Sequence, residues 1–289
     1  MNATVKELGK RIVGLIPDKM WLSYRFQRKL GYPMDWKDPK TFNQKLQWLK
    51  VYDRKPIYST MVDKYEAKKY VADLIGEEYI IPTLGVWDSF DEIDFDRLPQ
   101  QFVLKCTHDS GGLAIVKDKA KFDKEAARKK FKIAMNRNPY DVTREWPYKN
   151  VKPRIIAETY MEDSTTPVLN VYKIFTFSGE PKIIQTVQND KQPDESIDYF
   201  TPEWERLEMR QNFPNSKVLP EKPRQLEEML ALSRKLSGER SFLRTDFYEI
   251  NGRVYFSELT FFSDSGMAKF TPQEWDERLG SWIELPAEK

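Results

Sequence analysis

The sequence has one cysteine, Cys106, and one histidine, His108, among its 289 residues. A single cysteine excludes a disulfide framework within the chain and a zinc site built from cysteines. A single histidine excludes a histidine-rich metal site and any Ser-His-Asp triad that does not use His108. Catalysis by this chain would therefore depend on carboxylates, lysines, arginines and backbone groups.

The chain also lacks an excess of one charge and any long apolar run. The 47 Lys and Arg residues nearly balance the 45 Asp and Glu residues, giving a formal net charge of +2. No basic run is long enough to predict a nucleic-acid partner. The longest apolar run near the N-terminus, Ile12–Ile16, is far below the ~18 residues of a membrane span. With no signal peptide visible, we expect no membrane span and a location in the interior of a cell.

The apolar spacing predicts several helices and strands in a mixed α+β chain. The predicted helices cover residues 5–16, Phe42–Tyr52 with Thr41 as its cap, Met61–Ile75, Lys124–Asn136, Arg224–Leu236 and a last helix that starts in a capping box at Thr271. The predicted strands beyond those discussed below are Arg154–Met161 and Pro181–Val187. The segment Asn189–Lys222 is polar and rich in turn residues, so we expect it to be irregular.

The richest chemistry lies in a predicted β-hairpin. Two aromatic and β-branched runs, Phe242–Glu249 and Arg253–Thr260, flank Asn251-Gly252, a turn signal. The loop length decides which side chains share a face. We expect a three-residue loop, Ile250–Gly252, because a two-residue turn would send the two central carboxylates to opposite faces.

In the expected register Arg244 faces Glu258, and Asp246 and Thr260 lie on the same face. Two carboxylates beside a guanidinium are typical of a Mg²⁺ site with an arginine aimed at a phosphate. A solvated ion pair between Arg244 and Glu258 would explain the same residues.

A Gly-rich loop follows the predicted strand Gln101–Cys106. The strand carries Lys105, and residues 107–112 read Thr-His-Asp-Ser-Gly-Gly before a strand at Leu113–Val116. Such a loop can turn backbone N–H groups toward an anion, and Lys105 would add a positive charge. An ordinary hairpin with Lys105 in solvent is the alternative. No Walker motif occurs, and we expect the loop to be mobile without a ligand.

Two further patterns each allow two interpretations. Lys173 lies in the otherwise apolar strand Leu169–Phe177, so it faces either solvent or a phosphate, because lysine is rarely buried alone. Asp94 and Asp96 formally match the carboxylate pair by which many sugar-nucleotide transferases bind a metal. They lie in an acidic loop, 88–96, where a surface position is expected.

Taken in order, the lysine and Gly-rich loop, the strand with Glu158, the strand with Lys173 and the charged hairpin resemble the ATP-grasp fold. Five phrases resemble its branch related to TupA, the teichuronopeptide-synthesis protein: TFNQKLQWLKVYDR, VDKY, FVLKCTHDSGG, REWPYKNVKPRIIAE and FYEINGRVYFSELTFF. The likeness covers about residues 20–285. It implies an α+β fold with the nucleotide between two lobes. The implied division is a mainly helical region at 1–59, a small lid lobe at 60–153 and a large lobe at 154–289.

The resemblance also assigns roles to matching positions. Lys105 and Lys173 would hold the ATP phosphates, and Arg244 and Lys173 would act in catalysis. The other implied nucleotide contacts come from the phosphate-covering loop and the adenine hinge: Ser110, Gly111, Gly112, Glu158, Tyr160, Met161 and Glu162. The implied Mg²⁺ ligands are Asp246, Glu258 and Thr260.

The chain departs from the pattern of the family at several positions. Thr260 stands where many relatives have a metal-binding Asn, Val171 where related chains often have Asp, and Ser263-Asp264 where they often have Pro-Gly. Glu162 and Asp163 are the candidates for binding ribose. A helical region of about sixty residues replaces the usual Rossmann-like leading domain.

The resemblance implies an ADP-forming carboxylate–amine ligase that uses ATP and Mg²⁺ in the cytoplasm, close to the membrane machinery of polysaccharide synthesis. Its substrates would be a carboxylate and an amine, such as a uronic acid of a cell-surface polysaccharide and an amino acid. Carboxylate activation is phosphoryl transfer, which needs positioning and charge neutralisation and no protein nucleophile. Three alternatives stay open: a glycosyltransferase that uses Asp94 and Asp96, a non-catalytic ATP-binding module and a sugar kinase.

Overall fold

The computed structural model describes residues 14–166, 168–188 and 192–287. The helix predicted at residues 5–16 lies almost entirely outside them. Two antiparallel sheets organise the described residues, one of five strands and one of four. No helix among the described residues has both the length and the apolar character that crossing a membrane requires.

The five-stranded sheet has the strand order β10-β9-β5-β6-β7. Its strands are β5 (Val171–Phe177), β6 (Glu180–Gln188), β7 (Ser196–Phe200), β9 (Phe242–Ile250) and β10 (Arg253–Thr260). β7 lies in the segment that we expected to be irregular. The sequence did not indicate this strand because it contains polar residues that are typical of a loop. One of them, Asp198, is buried and forms an ion pair with Arg206. A short ribbon of β8 (Arg210–Gln211) and β11 (Phe270–Thr271) lies nearby.

Helices from both ends of the chain share one apolar core with this sheet. They are α2 (Phe42–Tyr52), α3 (Ile57–Val62), α4 (Glu66–Ile75), α7 (Leu226–Ser237) and α8 (Glu274–Ser281). α1 (Asp18–Leu30) contacts α2. The predicted cap of α2 is confirmed, since Thr41 and Gln44 form a reciprocal capping box. The division implied by the sequence puts residues 1–59 in a region of their own. In the structure α2, which lies within that region, shares the core of the five-stranded sheet.

The four-stranded sheet has the order β1-β4-β2-β3. Its strands are β1 (Thr83–Trp87), β2 (Phe102–Cys106), β3 (Leu113–Val116) and β4 (Ile155–Thr159). Residues of α5 (Lys124–Met135) complete its separate, phenylalanine-rich core, and α6 (Tyr140–Thr143) follows. The implied boundary after residue 153 differs from the structure, because β4 pairs with β1 and β2.

Two predicted helix boundaries are wrong for local reasons. The single helix expected at 61–75 is interrupted, because Asp63 Oδ1 accepts hydrogen bonds from the backbone N–H groups of Tyr65 and Glu66 and restarts the helix. The last helix begins at Glu274, because Thr271 pairs with β8 as a strand residue. The interruption before α4 places Lys64 at a bend, where its N–H donates to Thr107 O at 3.0 Å.

Candidate active site

The turn of the β9–β10 hairpin has two residues, not the three that we expected. Asn251 and Gly252 both adopt positive φ angles, 51° and 74°, and Ile250 pairs with Arg253. Turns with two left-handed residues match the twist of the flanking strands, which favours Asn-Gly in this place.

A β-bulge nevertheless brings the two carboxylates to one face. The register shifts between Phe256 and Glu258, so Ser257 is the extra residue. Glu258 therefore lies directly opposite Asp246, and Thr260 lies opposite Arg244. The predicted pairing of Arg244 with Glu258 across the strands was wrong, although all four side chains do share a face.

We call Arg244, Asp246 and Glu258 the arginine cluster. The guanidinium of Arg244 donates from Nε to Asp246 Oδ1 at 2.7 Å and from Nη2 to Asp246 Oδ2 at 2.8 Å. Nη2 also donates to Glu258 Oε1 at 3.1 Å. Burial favours the neutral form of Arg244, but the two carboxylates outweigh it and raise the pKa of the guanidinium. The arginine therefore stays charged.

Glu258 is the accessible carboxylate of the arginine cluster, since 39% of its side chain is exposed against 3% for Asp246. Burial of the carboxyl raises the pKa of Glu258, yet nearby positive charges outweigh burial and hold that pKa below its usual value. These charges belong to Lys64, Arg244 and Lys173. Lys173 pairs with Asp246 across β5 and β9, so it faces the site and not an apolar core.

A second ion cluster lies on the four-stranded sheet. We call Lys68, Lys105 and Glu158 the lysine cluster: Lys68 Nζ lies 2.6 Å from Glu158 Oε1, and Lys105 Nζ lies 2.6 Å from Glu158 Oε2. Burial raises the pKa of the Glu158 carboxyl, but the two lysines outweigh burial and lower it. Glu158 is thus ionised. Its side chain binds the two lysines, so a nucleotide contact by Glu158 would come from its backbone.

The two clusters are electrostatically connected. Burial works against the charge of Lys105, but the carboxylate of Glu158, and more weakly that of Glu258, raises the pKa of the ammonium. Lys64 adds a further positive charge: its Nζ donates to Asp109 O of the Gly-rich loop at 3.3 Å, and its charge acts on Glu258. Sequence reasoning missed Lys64 and Lys68, although the first lies in the quoted phrase VDKY and the second four residues later.

The Gly-rich loop, residues 107–112, is anchored at its start. Thr107 and His108 are buried, with Thr107 N donating to Arg154 O at 2.9 Å and His108 Nε2 lying 3.2 Å from Ala134 O. Gly112 has no room for a side chain, because a Cβ would collide with the sulfur of Cys106. The accessible part of the loop is its tip, residues 109–111, with Ser110 the most exposed of them. We therefore expect mobility without a ligand in the tip of the loop and not in its anchored residues.

The hinge after β4 is tied to the turn of the hairpin. Asn251 N donates to Asp163 Oδ2 at 2.7 Å, and Asn251 Nδ2 donates to Glu162 O at 3.0 Å. Hydrogen bonds from Thr165 and from the backbone of Asn251 lower the pKa of Asp163 to about 2. Because Asp163 is engaged in this contact, Glu162, whose side chain is exposed, is the better candidate for ribose. Tyr160 and Met161, the predicted adenine contacts, are half-buried beside it.

The donor set suits a hard divalent cation that shares its coordination with phosphate oxygens. Within residues 14–166, 168–188 and 192–287, no three Asp, Glu, His or Cys side chains gather into a metal cluster. A Mg²⁺ ion would therefore depend on Glu258 and Asp246, which typifies ions bound by one or two carboxylates plus substrate phosphates. Both oxygens of Asp246 contact Arg244, so Glu258 is the ligand within easier reach. Thr260 lies one step beyond them on the same face.

Asp94 and Asp96 lie away from these clusters, exposed in a surface loop. The carboxylate of Asp94 accepts a hydrogen bond from Asp96 N at 3.1 Å and forms an ion pair with Arg97 at 3.3 Å. The carboxylate pair is therefore part of a capped turn.

Comparison with known proteins places this geometry in context. The family model described as TupA-like ATPgrasp matches residues 44–284. No curated protein matches the sequence at a significant level.

Among solved structures, the D-alanine–D-alanine ligase of Bacillus anthracis complexed with ATP is 14% identical with a TM-score of 0.41, covering 70% of this chain and 54% of that one. The D-alanine–D-alanine ligase of Helicobacter pylori is 17% identical with a TM-score of 0.39, covering 84% and 69%. The ATP-grasp ligase PsnB complexed with minimal precursor, Mg and ADP is 14% identical with a TM-score of 0.38, covering 75% and 57%. The chain thus spans little more than half of the Bacillus anthracis enzyme.

Proposed function

The chain belongs to the TupA-like ATP-grasp family, and we propose that it is an ADP-forming carboxylate–amine ligase. The predicted α+β, ATP-grasp architecture is confirmed by this membership. The observation that carries the activity is the arrangement of five basic side chains around three carboxyl groups, beside an open pocket. The basic side chains are Lys64, Lys68, Lys105, Lys173 and Arg244, and the carboxyl groups are those of Glu158, Asp246 and Glu258.

The two clusters divide the work of holding Mg²⁺·ATP. Lys105 and Lys68 would bind phosphate oxygens as compact positive charges, with Glu158 fixing their positions. The accessible tip of the Gly-rich loop would add backbone N–H groups from Ser110 and Gly111. Glu258 and Asp246 would hold Mg²⁺, which neutralises charge on the phosphates when bound.

Arg244 and Lys173 would act on the group that is transferred. An oxygen of the substrate carboxylate attacks the γ-phosphorus, the bond to ADP breaks, and an acyl-phosphate forms. The planar guanidinium of Arg244 can grip two oxygens of the moving phosphoryl group, and Lys173 adds charge from the neighbouring strand. The amine then attacks the acyl carbon and phosphate leaves, which gives the amide without a protein nucleophile.

We place the substrate carboxylate on a uronic acid of a cell-surface polysaccharide or its precursor, with an amino acid or another amine as the group that is joined. This assignment follows the branch of the family, because the side chains of the two clusters do not identify the molecule that carries the carboxylate. Such a reaction would belong in the cytoplasm, close to the machinery that builds the polymer.

The test is a screen of ADP release from Mg²⁺·ATP with amino acids, uronic acids and uronate-bearing oligosaccharides. Hydroxylamine serves as a general amine, since it converts an acyl-phosphate to a hydroxamate, which forms a coloured complex with ferric iron. We expect ADP and hydroxamate to form together with one class of carboxylate. Binding of ATP without ADP release would indicate a binding module, and a phosphate ester product would indicate a kinase. Stabilisation by uridine sugar nucleotides but not by ATP would indicate a glycosyltransferase.

A further inference from the structure

An open pocket lies beside the arginine cluster, on the side of β5 and β6. Its volume is about 140 Å³, below the usual range of sites for drug-sized ligands, so it has room for a small molecule only. Lys173 and Arg244 form its edge nearest the proposed metal face. The rest of the lining comes from β6, β7, the segment after β8 and the loop after β10: Gln185, Val187, Glu195, Ile197, Tyr199, Gln211, Asn212, Phe213 and Asp264.

A row of neutral polar groups lines the floor of this pocket. Gln185 Nε2 donates to the hydroxyl of Tyr199 at 3.3 Å, and that hydroxyl donates to Gln211 Oε1 at 2.8 Å. Gln185 is 5% exposed, yet its Oε1 has no hydrogen-bond partner among the described residues. A buried acceptor left unpaired destabilises the folded chain. The row is therefore one donor short, and a ligand that carries an N–H or O–H group would supply it.

Asp264 supplies negative charge on the pocket wall. Its carboxylate adds to the two carboxylates of the arginine cluster, which together raise the pKa of Arg244 against the opposing effect of burial. It accepts a long hydrogen bond of 3.4 Å from Asn212 Nδ2 and is otherwise open to solvent. The lining of the pocket thus carries positive charge on Lys173 and Arg244 and negative charge on Asp264.

The backbone that carries Asp264 is held in an unfavourable conformation. Asp264, Ser265 and Gly266 have φ angles of 49°, 56° and 60°, which side chains other than glycine rarely adopt. Helix α2 clamps this turn, because Gln47 Nε2 donates to Ser265 O at 3.0 Å and to Gly266 O at 2.7 Å. Strain that the surrounding structure enforces is typical of functional sites.

The buried ammonium of Lys50 completes the clamp. Its Nζ donates to Ser265 O and to Ser265 Oγ, both at 2.8 Å, and to Thr143 O at 3.0 Å. The helical region thereby fixes Asp264 in the pocket.

We propose that the pocket binds the amine substrate, and that this substrate is a primary amine bearing hydroxyl or amide groups. Asp264 binds its ammonium group, and the row of Gln185, Tyr199 and Gln211 binds the polar groups. The inference rests on the proposed ligase function and names its second substrate.

The position suits the second half-reaction. The ammonium first gives one proton to the Asp264 carboxylate, and the free amine nitrogen attacks the acyl carbon next to Arg244. The carbon–oxygen bond to phosphate breaks, and the second proton of the nitrogen leaves with the phosphate. The products are an amide and inorganic phosphate, and Asp264 returns its proton to water.

The test compares two probes that differ only in one group, serinol and glycerol. Their dissociation constants are measured by ligand-observed NMR with the full chain in the presence of Mg²⁺ and ADP. We expect the wild-type chain to bind serinol at least about tenfold more tightly than glycerol, since a hydrogen bond between charged groups is worth more than a neutral one. Asp264→Asn should reduce this preference to about twofold or less, because it removes the charge.

Asn tolerates left-handed φ angles better than most residues, so Asp264→Asn should keep the turn. Asp94→Asn, in the surface loop, is the control and should keep the preference of the wild type. Equal binding of serinol and glycerol by the wild-type chain would overturn the proposal, as would a preference that survives in Asp264→Asn. The hydroxylamine assay on the wild-type chain separates the two claims. If no hydroxamate forms but Asp264→Asn still loses the preference for serinol, the results support the amine pocket and contradict the ligase function.

Discussion

The lysine cluster and the arginine cluster are built from the same parts in opposite proportion. In the lysine cluster two ammonium groups contact one carboxylate, whereas in the arginine cluster one guanidinium contacts two carboxylates. Within ion-pair distance the first has more ammonium groups than carboxyl groups, and the second has more carboxyl groups than guanidinium groups. An anion would complete the first and a cation the second. The difference matches a nucleotide triphosphate and the divalent ion that accompanies it.

The clusters also differ in what their accessible member can do. In the lysine cluster Lys105 has 22% of its side chain exposed and Glu158 has 8%, so a cation faces the outside. In the arginine cluster Glu258 is the exposed member, so an anion faces the outside. In both clusters a buried charged side chain holds an exposed one in position. Substitution of the exposed residue should therefore change ligand binding more than folding.

The largest effect is expected when the arginine cluster loses its accessible charge. Glu258→Gln keeps the volume of the side chain but removes the charge that a metal ion requires. We expect ADP release to fall at least about a hundredfold, a loss typical of one strong charge contact at a reacting group, with the fold intact by circular dichroism. Glu180→Gln, an exposed residue of β6, is the control. Wild-type turnover in Glu258→Gln would reduce the arginine cluster to a surface ion pair.

A somewhat smaller effect is expected when Arg244 keeps its charge but loses its planar fork. Arg244→Lys cannot contact both oxygens of Asp246 and reach Glu258 at once. We expect ADP release to fall by about tenfold to a hundredfold, with the dissociation constant of Mg²⁺·ATP changed less. This split is measured by steady-state kinetics beside calorimetric binding. A weaker affinity with unchanged turnover would assign Arg244 to binding alone.

Removing one ammonium from the lysine cluster should weaken phosphate binding. For Lys68→Met and Lys105→Met we expect about tenfold weaker binding of ATP and little change for AMP, because contacts to the outer phosphates are lost. Lys69→Met is the matched control, since Lys69 is the next residue on α4 and its ion pair with Asp73 is exposed. Equal losses for ATP and AMP would mean that these lysines support the fold near the adenine and do not bind phosphate.

The smallest effect concerns acid stability. The pKa of Glu158 is lower in the folded chain than its ordinary value of 4.5. Its contribution to stability is therefore fully present above pH 4.5 and is lost as the pH falls toward the folded-state pKa. We expect the free energy of unfolding to fall with acid below this pH in the wild type, and to fall less in Glu158→Gln. Urea titrations between pH 3 and pH 7 measure the difference. Parallel pH profiles would show that Glu158 is not stabilised by its lysines.

The parts of this site that could be predicted from the sequence are those encoded locally. Asn251-Gly252 marks the hairpin and the apolar alternation marks its strands, so the elements were found. The prediction that Asp246 and Glu258 share a face is correct, but the loop length on which it was based is wrong. The bulge at Ser257 has no sequence signal, because it satisfies packing between strands and not a local preference.

Long-range pairs could not be predicted. Lys68 reads as one of several lysines on a helix face, and its partner Glu158 lies 90 residues later. Lys50 reads as a solvated residue, but burial lowers the pKa of its ammonium to about 7. Its contacts come from Thr143 and Ser265, which meet only in the folded chain. Such positions depend on topology, which is why the role of the helical region could not be read from the sequence.

The central claim is that the two clusters form one site for a nucleotide and its metal ion. The direct test is a calorimetric measurement of ATP affinity with Mg²⁺ and with EDTA, in the wild type, Glu258→Gln and Lys105→Met. We predict that Mg²⁺ strengthens ATP binding by the wild type at least about tenfold. Glu258→Gln should lose most of this gain, and Lys105→Met should bind more weakly under both conditions while retaining the gain. An unchanged dependence on Mg²⁺ in Glu258→Gln would contradict the account.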